Sequence, residues 1–244
     1  MARIFAALVF VGLSLGGAEA GPDPDFLVGA PKFSVGARVG WSFARADSDF
    51  FEFTRELLTV GDSDFDAPTF SFDFAFLLNQ RVDTILGFEI NRSSVTSEFR
   101  DYIGTDNLPI TQETRLFQVP LTASLKFHLT PRGREVSQYA WVPHAATPFV
   151  GAGGGLVWYK LEQTGEFVDF IDLSVFTATL SSTGWAPTAH VFGGLDLSLN
   201  PNLFLTLEAR YAWADSELKQ DFVDFDPIDL TGLEITGGIS WLIK

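Results

Sequence analysis

Apolar side chains recur at every second position through most of this chain, and that period limits the fold more than any other feature. The stretch "TFSFDFAFLLN" (69–79) displays it most plainly. Phe70, Phe72, Phe74, Phe76 and Leu78 form one series, with Ser71, Asp73 and Ala75 between them. A period of two belongs to a β-strand with two unlike faces. A carboxylate among phenylalanines raises the question of which face meets water and what the other meets.

The same alternation recurs along the chain. In "KFSVGARVGWSFA" (32–44), Phe33, Val35, Ala37, Val39, Trp41 and Phe43 oppose Ser34, Gly36, Arg38, Gly40 and Ser42. In "VDTILGFEIN" (82–91), Leu86, Phe88 and Ile90 oppose Asp83, Gly87, Glu89 and Asn91. "LFQVPLTASLKFHL" (116–129), "APTAHVFGGLDLSLN" (186–200), "LFLTLEARYAWA" (203–214) and "LTGLEITGGISWLI" (230–243) repeat the pattern. "PFVGAGGGLVWYKL" (148–161) is a further strand whose facing stays open, because glycine fills both classes. Pro120 interrupts the fourth strand and calls for a bulge or an irregular stretch.

The polar class is mostly Gly, Ser and Thr with single charges, whereas a water-facing surface carries many Lys and Glu. The apolar class therefore faces lipid and the polar class lines a narrow interior. In lipid every backbone group must be paired, which leaves a closed barrel as the only all-strand design. The reading is an all-β, eight-stranded antiparallel up-and-down transmembrane β-barrel. "NQR" (79–81) and "PN" (201–202) read as tight turns; 45–66, 92–114, 162–184 and 215–229 read as long loops. Short turns at one end and long loops at the other suit an outer-membrane barrel. The long connection 130–147 breaks that rule.

The chain opens "MARIFAALVFVGLSLGGAEA": Arg3, an apolar run from Ile4 to Leu15, then Ala18-Glu19-Ala20. This reads as a secretory signal peptide over 1–20, followed by a periplasmic segment, 21–32, and the barrel domain, 33–243. There is no cysteine, so an exported chain of this kind is no disulfide scaffold. A formal net charge of −15 argues against nucleic acid as a partner. With 25 phenylalanines, a water-soluble fold would struggle to bury the rings.

An interior just wide enough for side chains requires its charges to be paired. The expected lumen network is Arg38, Asp73, Glu89, Lys126, Glu208, Arg210 and Glu234. Within it Arg38 meets Asp73, Glu89 meets Lys126, and Arg210 meets Glu208 or Glu234. The expected interface girdle is Trp41, Trp158, Trp185, Tyr211 and Trp213 at the long-loop end, joined there by Phe43 and Tyr159, with Trp241 and Phe127 at the other.

Strands "VPLTASLKFHL" (119–129), "PFVGAGGGLVWY" (148–159), "LTLEARYAWA" (205–214) and the final "TGGISWLIK" (236–244) resemble the small outer-membrane β-barrel family of Gram-negative bacteria, the group with outer-membrane protein A, X and W types. The resemblance implies location in the cell outer membrane, with lipid, lipopolysaccharide and the barrel-assembly machinery as partners. Gly238, Trp241 and Ile243 then resemble the assembly signal, although this chain ends Ile243-Lys244 where relatives end in an aromatic residue. The W type would imply a narrow channel for small polar or amphipathic molecules.

Catalytic chemistry finds no support. His128, His144 and His190 are scattered, no His-x-Ser arrangement like that of the lipid A deacylases is present, and no cysteine is available for a transition-metal site. "AGGGL" (152–156) lacks the Lys-Ser/Thr of a phosphate loop. No enzyme activity, cofactor or metal is therefore expected. "DSDFFEF" (47–53), "DSDFD" (62–66), "EFVDFIDL" (166–173) and "DFVDFDPIDL" (221–230) mix carboxylates with phenylalanine, as solvated acidic loops, a weak divalent-cation site or a contact surface. The expected function is a structural or surface-interaction role with a polar, plugged interior; the alternative is a narrow channel.

Overall fold

The computed structural model describes residues 26–244 apart from 105–106 and 138–139. The expected signal peptide lies outside the described residues. In chain order the elements are β1 (Phe33–Ala44), α1 (Asp49–Leu57), β2 (Ala67–Leu77), β3 (Val82–Ile103), β4 (Pro109–His128), β5 (Gly133–Ser137), β6 (Ala140–Pro143), β7 (Ala146–Val168), β8 (Val175–Asn200), β9 (Leu203–Ser216), β10 (Ile228–Asp229) and β11 (Gly232–Ile243). Short 3-10 turns lie at Asp62–Phe65 and Gln220–Phe222.

Strands β1, β2, β3, β4, β7, β8, β9 and β11 form a closed antiparallel ring of eight. Closure is made where β11 returns to β1, with Phe33 opposite Ile243 and Ala44 opposite Gly232. Within the ring, closure leaves no edge, so ladder groups can pair without water; the extensions of β3 beyond Asn91 and of β8 before Thr188 have a strand on one side alone. No described helix is long and apolar enough to cross a membrane.

The alternation becomes two surfaces. Phe70, Phe72, Phe74 and Phe76 stand outward at 38–54% exposure, while Ser71 is buried inside. Val35, Val39, Leu86, Leu125, Val150, Val191, Leu207, Ile235 and Ile239 extend the same apolar belt around the ring. An apolar surface this continuous would drive aggregation in water; in a bilayer it is solvated by acyl chains. On β7 the facing left open by glycine resolves by parity. Phe149, Val157, Tyr159 and Leu161 point inward, and Val150 and Leu156 point out. Tyr159 therefore leaves the expected outer girdle: it is fully buried, and its hydroxyl donates to the Glu217 carbonyl at 2.9 Å.

Two segments read as long loops, 92–114 and 162–184, are largely strand. β3, β4, β7 and β8 run 22, 20, 23 and 26 residues, well beyond the ~9–11 that cross a membrane. Above the bilayer the outward positions Arg92, Ser94, Thr96 and Glu98 are exposed while Ser93 and Ser97 are buried. The outward face there is polar, and the inward face mixes Ser93 and Ser97 with Val95 and Phe99, so the hydropathy contrast fades although the pairing continues.

Pro120 is accommodated without a bulge. β3 and β4 pair through Phe88 and Leu121, skip Glu89–Ile90 opposite Val119–Pro120, and resume at Asn91 with Gln118 in unchanged register. On its other side Pro120 stays opposite Val157 of β7. The missing N–H falls in that short gap, so the proline costs little of the ladder.

Candidate functional site: the lumen and the outer cap

The inward side chains are layered along the barrel axis. Midway, Arg38 Nη1 lies 3.0 Å from Asp73 Oδ2 and 3.0 Å from Glu208 Oε2. Glu208 Oε1 accepts from Arg210 Nη2 at 2.9 Å and from Nε at 3.1 Å. Arg210 Nη1 also stands 3.8 Å from Glu89. Glu89 accepts from the Ser71 hydroxyl at 3.1 Å and from Asn91 Nδ2 at 3.0 Å, and the same Asn91 nitrogen is 3.5 Å from Glu234. The structure thus gathers Arg38, Asp73, Glu89, Glu208, Arg210 and Glu234 into one buried layer. Buried charges persist only when paired and hydrogen-bonded.

Lys126 is not in that layer, and its expected pairing with Glu89 is corrected. Its ammonium meets Asp196 of β8 at 2.6 Å, and Asp196 also accepts from Thr206 at 2.8 Å. Close by, Asp83 contacts His128 Nε2 at 2.9 Å and Arg132 Nη2 at 2.7 Å. Asp83, His128, Arg132 and Asp196 form a second charged layer that sequence reasoning did not assemble. Asp83, His128 and Asp196 sit on the polar face of their strands, a usable signal. Arg132 lies in a connection with no periodicity, and nothing in the sequence marks it.

Aromatic rings join the layers. The Lys126 ammonium lies 3.6 Å from the Phe149 ring centroid, Phe149 meets Phe192 at 6.2 Å, and the Arg210 guanidinium lies 5.5 Å from Phe192. Cations over ring faces gain electrostatic attraction where water is scarce. A side chain at Gly151 would place its Cβ 2.2 Å from the Phe192 ring, so the glycine run makes room for this stack. Ser124 and His190 hydrogen-bond at 2.8 Å, filling the space beside it.

The unexplained connection 130–147 is a β5–β6 hairpin folded against the short-turn mouth. Trp141 is fully buried there; its indole donates to Gln80 Oε1 at 3.2 Å, and its backbone pairs with Leu27. Phe204 and Leu242 complete the cluster.

At the opposite end, the interior is apolar rather than polar as expected throughout. Leu116, Val157, Tyr159, Leu161, Ala186 and Ala214 of the barrel wall pack beneath Phe50, Phe51, Phe65 and Phe222. The first two rings belong to α1, which sequence analysis read as loop. Its buried Phe50, Phe51 and Thr54 share one helical face, a stripe spaced for a helix. These phenylalanines are core, while Phe53, Phe170, Phe176 and Ile171 remain exposed.

The carboxylates of this cap tie down backbone N–H groups. Asp66 accepts from Ala44, Asp64 from Gly61, Asp49 from Asp226, Asp221 from Ser181, and Asp229 from Asp47 and Thr231. Loop N–H groups need partners, and short acidic side chains provide them. Among the described residues no group of three or more His, Cys, Asp or Glu is arranged to hold a metal ion.

Beyond the belt, on the outer face of the extended strands, the Ser94 hydroxyl at 2.6 Å and the Arg115 guanidinium hold the Glu113 carboxyl below the usual carboxylate range. The Lys160 ammonium does the same for Glu162.

Trp41, Trp185 and Trp213 point outward below this patch at 44–53% exposure. Trp158 stands opposite Trp185 across the β7–β8 pair, and Tyr211 packs on Trp213 with ring centroids 5.0 Å apart. Trp241 faces out toward the short-turn mouth, paired with Val35 and Leu203.

No family model matches the chain, and no curated protein does. Among solved structures, outer membrane protein OprG from Pseudomonas aeruginosa is similar at 10% identity and a TM-score of 0.49, over 91% of this chain and 99% of that one. Neisserial surface protein A is similar at 10% identity and 0.47, over 86% and 95%. Ail, the attachment invasion locus protein of Yersinia pestis, is similar at 15% identity and 0.44, over 86% and 99%. The closed ring, the continuous apolar belt and the tryptophans at its two margins make this chain an eight-stranded β-barrel of the outer membrane.

Proposed function

We propose that the chain is a non-conducting barrel that anchors a folded cap for contact with molecules outside the cell. The observation that carries the reading is the Arg38–Glu208–Arg210 layer. The cavities on its two sides are about 40 Å³ each and share no lining residue. A void of that size holds a few waters at most, and the side chains between them are fixed by charged hydrogen bonds. The Trp141 hairpin and the phenylalanine core add a closure at each mouth. The role is non-enzymatic, through the acidic, aromatic cap. The alternative, a narrow channel for small polar or amphipathic molecules, requires these buried pairs to part.

The outward placement of the cap can be tested directly, because the chain has no cysteine of its own. Ile171 is 95% exposed at the β7–β8 turn, and Gln80 lies in the β2–β3 turn at the other end. On intact cells a membrane-impermeant maleimide should label Ile171→Cys and leave Gln80→Cys unlabelled until the outer membrane is opened. The reverse pattern would place the cap in the periplasm and end the surface reading.

A further inference from the structure

The cap holds an apolar cavity of about 190 Å³. It lies where α1, the extended β3–β4 and β7–β8 strands and the Gln220–Phe222 turn converge. Its walls include Leu57, Leu58, Phe99, Val168, Leu180 and Phe222. Phe53 and Phe170 stand at the rim, 44% and 57% exposed.

Each of the four polar side chains in the wall already makes one hydrogen bond within the protein. The Thr54 hydroxyl donates to the Phe50 carbonyl at 2.7 Å. Gln112 Nε2 donates to the Glu166 carbonyl at 2.8 Å, and Gln163 Nε2 to the Thr114 hydroxyl at 3.3 Å. Asp221 accepts from the Ser181 backbone N–H at 2.8 Å. The rest of the wall is apolar, so a water inside would find few of the two to four polar partners it needs. A sealed apolar void of about 150 Å³ takes up benzene; this one is slightly larger and opens to solvent past Phe53 and Phe170. Its lining atoms lack dispersion partners on the open side, and an apolar guest supplies them.

We propose that this cavity is a binding site for a small apolar molecule about the size of one substituted aromatic ring. The inference deepens the reading of the cap as a contact surface by naming what the cap holds. Binding to purified protein tests the cavity alone, whereas the maleimide labelling tests which way the cap faces, so the two can fail separately.

The experiment is a titration of the refolded protein in lipid nanodiscs, free of detergent, with toluene, followed by backbone amide spectra. Saturable shifts should be confined to the residues around the cavity. Leu180→Trp, which fills the cavity from one wall, and Leu57→Phe, which fills it from another, should each abolish the saturable shifts and leave the barrel spectrum in place. Benzoate, whose carboxylate would find no cation among the wall residues, should give no saturable shifts. Non-saturable shifts spread over the lipid-facing belt, or unchanged binding in a folded filled variant, would overturn the site. Equal affinity for benzoate would overturn the apolar class of its ligand.

Discussion

Arg38 of β1 reaches across the intervening β11 to hydrogen-bond Glu208 of β9 at 3.0 Å, while the same Nη1 holds Asp73 of β2. One guanidinium thus ties strands on both sides of the seam where the barrel closes. Arg38→Ala would leave two buried carboxylates without that cation. Breaking a buried pair in this way costs on the order of 3–5 kcal/mol. Urea unfolding from lipid vesicles should show that loss, and Arg38→Met with Asp73→Leu should recover part of it, because Glu208 keeps Arg210 as its cation. An unchanged unfolding midpoint in Arg38→Ala would remove the layer from the account of stability.

Trp141 is predicted to hold the β5–β6 hairpin against the barrel mouth. Truncating a buried tryptophan costs on the order of 3–5 kcal/mol, here charged to a local unit. Trp141→Ala should make the 133–143 segment sensitive to protease added on the short-turn side, with the barrel left folded. Equal resistance in the variant would show that the hairpin is held by something else.

Gly184 lies under the Tyr159 ring, and a Cβ there would stand 2.8 Å from it. Gly184→Ala should destabilise by about 1–3 kcal/mol through overpacking. Tyr159→Phe, which loses only the bond to Glu217, should cost about 0.5–1.5 kcal/mol. Adding Tyr159→Ala to Gly184→Ala should relieve the clash, so the double variant should be more stable than the sum of the single effects. Strict additivity would separate the two residues.

Glu113 titrates outside the bilayer, and its carboxyl is held down by Ser94 and then Arg115. A depressed folded-state value means its contribution is present above the unfolded carboxylate range and is lost as pH falls through the lower folded value. Carbon-detected side-chain titration should give Glu113 a midpoint below that of an exposed glutamate, and Ser94→Ala should raise it. A normal midpoint in the unaltered protein would contradict the hydrogen-bonded arrangement.

The membrane-crossing part of the fold was legible because lipid on one side and a narrow lumen on the other impose opposite demands at alternate positions. Phe72 and Asp73 show the contrast residue by residue. The answer to their juxtaposition is that Phe72 is exposed to the bilayer and Asp73 reaches Arg38 inside. Above the bilayer that contrast fades, which is why Arg92–Ile103 and Glu162–Val168 read as loops although they continue strands. Partner choice inside the lumen was partly legible. Counting along adjacent strands brought Arg38 to Asp73 but missed Lys126 with Asp196, because these residues meet across β7 rather than along a shared ladder. The cap was the least legible part. Its order comes from aspartates accepting backbone N–H groups and from phenylalanines turned inward, and beyond the short Phe50, Phe51 and Thr54 stripe of α1 these leave no period in the sequence.

The most direct test of a non-conducting lumen is single-channel recording of the refolded protein in planar bilayers, alongside Arg210→Ala. Well-folded, heat-modifiable unaltered protein should give no steady conductance steps. Steady steps that change in size or ion selectivity in Arg210→Ala would rule out a plugged lumen and make the barrel a channel with Arg210 in its path.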